Sequence, residues 1–115
     1  MAHLSDWTSL EVRHLLAFVA VIEEGSFGAA ASRLGYSQPG ISHQIAALER
    51  IVGRTLVVRR GGEGVVPTHA GLLLAPRART MIAESRRAGF DLADLAAEEE
   101  GAGRTIPAAG ARAVR

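Results

Sequence analysis

"YSQPGISHQIAALE", residues 36–49, places the uncharged polar side chains Gln38, Ser42 and His43 among apolar positions that recur at helical spacing. Ser37 is positioned to cap a helix by accepting a backbone N–H bond. Pro39 falls in the first turn, where its missing N–H has no intrahelical partner to lose. Ile41, Ile45, Leu48 and Val52 make one inward stripe, and Gly53 offers the left-handed conformation that ends a helix. Gln38, Ser42, His43 and Gln44 are left on or beside the outward face. These residues alone leave two readings open, a solvated helix face or a face that reads a hydrogen-bonding partner.

Upstream, "LEVRHLLAFVAVIEE" (residues 10–24) spaces Leu15, Phe18, Val19 and Ile22 as a first helix that Gly25 closes. Ser26 is set to cap a short second helix, "FGAAASRL", ending at Gly35. Its alanines, Ala29 to Ala31, let another helix approach closely. Downstream, "TLVVRR" and "GVVP" flank "GGE", a pattern that predicts a β-hairpin with glycines at the reversal. Thr68 is placed to cap a last helix. From Leu74 an apolar or small residue recurs at Ala78, Met81, Ser85, Ala88, Leu92 and Leu95 in alternating steps of four and three, a heptad seam. That seam suits dimerisation, or packing back on the same domain. Pro76 removes one hydrogen bond near the helix start, so a bend is expected there.

The expected layout is an N-terminal extension at 1–8, a domain at 9–68, a long linker helix at 69–99 and a disordered tail at 100–115. Within the domain, helix, short helix, turn, helix and hairpin predict a mainly α winged helix-turn-helix. The helix-turn-helix spans about 27–46 and the wing about 55–67. In such a fold the third helix enters the major groove of DNA, and "YSQPGISHQ" becomes its reading head. Glutamine pairs bidentately with adenine, serine donates or accepts, and the apolar face of Pro39 suits a thymine methyl. His43 can donate to guanine or to phosphate. Ser37, Gln38, Pro39, Ser42, His43 and Gln44, with Arg59 and Arg60 on the wing, are therefore the candidate DNA-binding residues. The two arginines suit phosphates or a narrow minor groove.

Charge agrees locally rather than globally. The 115 residues hold 13 arginines, no lysine and 12 acids, a net +1. From Arg33 to Arg60, however, five arginines face a single acid, Glu49, and that balance favours an anionic polymer. The lack of cysteine excludes disulfides, thiolate metal sites and cysteine nucleophiles. His3, His14, His43 and His69 are too scattered for a metal site, and no glycine-rich phosphate loop, serine elbow or catalytic histidine–carboxylate spacing occurs. Neither an enzyme nor a cofactor is expected. Without an export signal or an apolar run of ~20 residues, a cytoplasmic protein is expected.

Two longer stretches, residues 10–60 and "VVPTHAGLLLAPRAR" at 65–79, resemble the DNA-binding region of LysR-type transcriptional regulators. The resemblance runs from about residue 9 to 95, with "EEGSF", "AAASRLGYSQPGISHQIAALE" and "PTHAG" in the family's order. It implies a repressor or activator that binds an interrupted inverted repeat of double-stranded DNA as a dimer, paired through the antiparallel long helix. The family's DNA contacts fall on Gln38, Pro39, Ser42, His43 and Arg59. Its two-lobed inducer domain has no counterpart in these residues, so no inducer site is expected in this chain. Two positions depart from the pattern: Gly40 replaces the usual Ala or Pro, and "LVVRR" lacks the aromatic that follows the wing's leucine. An alternative is an interaction protein that pairs with a full-length regulator through the linker helix.

Overall fold

The computed structural model describes residues 4–102. A 3-10 helix at Leu4–Ser9 leads into α1 (Val12–Glu24), α2 (Phe27–Leu34) and α3 (Gln38–Val52). Strands β1 (Val57–Arg59) and β2 (Val65–Pro67) follow, then α4 (His69–Ala102). This is a winged helix-turn-helix followed by a long helix. Helix α4 runs to Ala102, past the expected end at residue 99, and the rest of the anticipated tail lies outside the described residues.

The chain punctuates its helices with the residues that capping chemistry favours. Ser26 Oγ accepts from Ala29 N at 2.9 Å, and Ser37 Oγ accepts from Gly40 N at 3.0 Å. Thr68 Oγ1 accepts from Gly71 N at 3.1 Å and also donates to the Thr55 carbonyl at 2.7 Å, joining the start of α4 to the foot of the wing. Gly25, Gly35 and Gly53 each end a helix at φ 74°, where a side chain would be strained. Helix α1 starts differently: Glu11 N donates to His14 Nδ1 at 3.1 Å.

Phe18, Leu15 and Val21 of α1, Ile41 and Leu48 of α3, and Leu56 before the wing are the largest fully buried side chains. Each such burial stabilises the fold by roughly 1.5–3 kcal/mol. Helix α2 contributes Ala30 and Ala31, whose small side chains let α1 and α3 close over it. Ala75, Ala78 and Ile82 of α4 are buried in the same core. The compact unit therefore extends to Ala83, beyond the expected boundary at residue 68, and residues from Glu84 form a second unit. Gly71 explains how closely α4 is seated, since a Cβ there would lie 2.2 Å from the Leu56 carbonyl oxygen.

The wing is a two-stranded antiparallel sheet in the register Val57↔Pro67, Val58↔Val66 and Arg59↔Val65. Its strands are shorter than the apolar runs suggest. Thr55 and Leu56 direct their backbone to other partners: Leu56 N donates to Glu49 Oε2 at 2.7 Å, and the Leu56 carbonyl accepts from Thr68 N at 2.9 Å.

Candidate nucleic-acid interface

Capping by Ser37 fixes where α3 begins, and the inward stripe of Ile41, Ile45 and Leu48 fixes its rotation. Together they leave Ser37, Gln38, Pro39, Ser42 and His43 exposed along the first two turns. Gln38 Oε1 lies 3.9 Å from where a side chain at Gly28 would begin, an ordinary contact distance that sets the start of α3 beside α2. Gln44 differs from the other candidates. It is half-buried, and its Oε1 is buried without a hydrogen-bond partner among the described residues. In this arrangement the Gln44 carbonyl oxygen turns inward, because position 44 lies at the edge of the inward stripe.

Gly40 lies in the first turn of α3, where glycine costs up to about 0.5–1 kcal/mol relative to alanine. Its setting leaves little room for a side chain. A Cβ at this position would sit 3.1 Å from Ser37 Oγ, crowding the hydroxyl that caps α3.

The positive field is narrower than the count of arginines suggests. Arg33 is engaged, its Nη1 lying 2.8 Å from Glu23 and 3.2 Å from Glu24, while Arg79 Nε reaches Glu23 at 3.2 Å. The hydrogen bond from Arg33 holds the Glu23 carboxyl below its ordinary range, with Arg79 adding to the effect. Arg50, Arg54, Arg59 and Arg60 have no acidic partner among the described residues. Glu49, the one acid between Arg33 and Arg60, is engaged by the wing's backbone, its carboxylate accepting from Leu56 N at 2.7 Å and from Val57 N at 3.4 Å. Sequence reasoning counted Glu49 only as a charge; its role in seating the wing required knowing where β1 begins.

Ser42 of α3 and Arg59 of β1 line one groove of about 200 Å³, with Phe27, Ala46 and Glu49 also in its wall. The Arg59 guanidinium carbon lies 4.7 Å from the centre of the Phe27 ring. Arg60 is exposed at the end of the strand. The structure therefore brings one candidate residue of the α3 face, Ser42, and one wing arginine, Arg59, to a common groove.

Residues 12–72, more than half of the chain, match the model of the bacterial regulatory helix-turn-helix proteins of the lysR family. The chain belongs to the LysR family. An uncharacterized HTH-type transcriptional regulator of Escherichia coli K12, YnfL, is 41% identical over 92 residues, covering 80% of this chain and 28% of YnfL. The regulator TfdT of Cupriavidus pinatubonensis is 45% identical over 78 residues, covering 68% of this chain and 34% of TfdT. This LysR-family chain thus spans about a third or less of the curated relatives it matches. Among solved structures, that of the CbnR_DBD–DNA complex superposes with a TM-score of 0.68 at 40% identity, covering 76% of this chain and 99% of the other. The BenM_DBD complex with catB site 1 DNA gives a TM-score of 0.70 at 36% identity, covering 76% and 97%.

The linker helix of this LysR-family chain departs from the expected seam. Ala78 is fully buried in its own domain and offers no face to a partner, and Leu74 is half-buried against the same core. Met81, Ser85, Ala88 and Leu92 are exposed, and Leu95 is half-buried. Leu72, Leu73 and Phe90, which lie off the seam, are 60%, 65% and 68% exposed. The heptad spacing hid them because the domain core takes the seam's first positions.

Proposed function

We propose that this chain is the sequence-specific DNA-binding part of a transcriptional regulator. It sets the start of α3 in the major groove, lays the wing alongside and binds an interrupted dyad as a homodimer through α4. The exposed face of Gln38, Pro39, Ser42 and His43, with wing arginines that have no acidic partner among the described residues, carries this reading. It is supported by the likeness to CbnR_DBD and BenM_DBD, both solved with DNA. In this division of labour Gln38, Ser42 and His43 specify the sequence, while Arg59 and Arg60 hold the backbone. Dimerisation draws support from the apolar side chains that α4 leaves in water, Met81 and Leu92 on the seam and Leu72, Leu73 and Phe90 off it.

The test is an anisotropy titration against a cognate dyad, selected from a random library, and against mixed-sequence DNA at two salt concentrations. Gln38→Ala is expected to relax discrimination at one base pair by about 1–3 kcal/mol. Arg59→Ala is expected to weaken binding to all sequences alike and to lower the salt slope by about one. Equal losses on both DNAs for both variants would refute the assignment of roles.

A further inference from the structure

The geometry points to Phe27 as a positioning residue that holds the Arg59 guanidinium beside the reading face of α3. This inference rests on the DNA-binding reading above and adds a residue that neither the sequence pattern nor the exposed face singles out. Phe27 opens α2 directly after its cap, Ser26, and is 9% exposed; it packs in the core and its ring face meets the Arg59 guanidinium at 4.7 Å. A guanidinium on an aromatic face is held by the ring quadrupole and by planar stacking, without an acid to neutralise it. Its charge stays available to a phosphate.

The backbone around Arg59 is fixed by the same helix-turn-helix. Glu49 Oε2 accepts from Leu56 N at 2.7 Å and from Val57 N at 3.4 Å, tying down the start of β1. Across the sheet, Val65 is the register partner of Arg59, and its N–H donates to the Gly25 carbonyl at 3.0 Å, two residues before Phe27. The strand is thus tied to α3 through one link and to the α1–α2 turn through another. What remains free is the long arginine side chain, and the Phe27 ring supplies its support. Fixing a flexible side chain near its bound position reduces the entropy lost on binding. Ser42 lines the same groove, so the arginine is held next to the bases that α3 would read.

A double-mutant cycle on the full chain tests this, because leucine at position 27 preserves apolar burial and removes the aromatic face. Binding to a fluorescein-labelled mixed-sequence duplex is measured for the unaltered protein, Phe27→Leu, Arg59→Ala and the pair. Phe27→Leu is expected to weaken binding about two- to fivefold when Arg59 is present, and to have no effect in the Arg59→Ala background. Arg59→Lys, which keeps the charge and loses the planar stack, should fall between the unaltered protein and Arg59→Ala. Equal losses in both backgrounds would assign Phe27 a purely structural role and overturn the inference. Tighter binding by Phe27→Leu would also overturn it, by showing that the ring withholds the arginine from DNA. Should the unaltered protein fail to bind any duplex, the DNA-binding reading falls. The ring contact would still be read from denaturant midpoints, where non-additive losses establish it and additive losses remove it.

Discussion

Helix α4 carries one spacing rule through two different environments. Over residues 69–83 its apolar face closes a core: Ala75, Ala78 and Ile82 are buried, and Gly71 lies against the Leu56 carbonyl. Over residues 84–102 the same steps of four and three lead past exposed Ser85, Ala88 and Leu92, with Phe90 and Leu92 both about two-thirds exposed. Among the described residues the helix is supported there by its own backbone and by the Arg87–Glu84 pair at 3.4 Å, worth about 0.2–0.5 kcal/mol. Periodicity defines a face but not what lies against it. The buried face of the first stretch is matched to surfaces of its own chain; the second stretch, with the exposed Leu72, Leu73 and Met81 of the first, is what the proposed homodimer would cover.

An aspartate placed in each stretch gives the largest contrast. Ala78→Asp buries an unpaired charge and is expected to destabilise the domain by about 3–5 kcal/mol, read from the denaturant midpoint. Leu92→Asp should leave that midpoint within about 0.5 kcal/mol at dilute, monomeric concentration, yet shift sedimentation from dimer to monomer. A monomeric unaltered protein would remove the distinction between the two stretches. Next in size, Gly71→Ala drives a methyl into the Leu56 carbonyl and should cost about 1–3 kcal/mol, whereas Gly89→Ala, with open space around it, should be neutral or stabilising.

The smallest effect concerns pH. His14 is buried, and its Nδ1 must be unprotonated to accept the Glu11 N–H. Burial is the main reason its pKa lies below 6.5, with Glu11 opposing the shift and Arg13 and His43 adding to it. As pH falls below 6.5 the unfolded chain takes up the proton first, so stability present above that value is lost toward the folded-state pKa. Denaturant midpoints should decline over mildly acidic pH, and His14→Gln should flatten that part of the decline.

Much of the fold was legible because its signals are local. Ser26, Ser37 and Thr68 cap the helices that follow them, and Gly25, Gly35 and Gly53 close the helices before them, as their chemistry dictates. The outward turn of Gln38, Ser42 and His43 followed from the stripe opposite them. What the sequence concealed depends on long-range choices. Arg33 finds Glu23 across a helix junction, Glu49 spends its carboxylate on strand amides, and the Gln44 carbonyl turns inward. The assignment of Ala78 to the core required knowing that three helices leave a gap of small-residue depth. No spacing within α4 contains that information.

The link between Val65 and Gly25 bears on protein engineering. Gly64 has φ 74°, and a Cβ there would lie 2.6 Å from the Gly25 oxygen that accepts the Val65 N–H. Residues far apart in sequence therefore share one tight backbone junction, and Glu49 makes a second at the other strand. Transplanting the hairpin alone onto a related scaffold would sever both junctions. A working chimera must exchange the α1–α2 turn and the end of α3 along with it, so the wing transfers as a three-cornered assembly rather than as a hairpin.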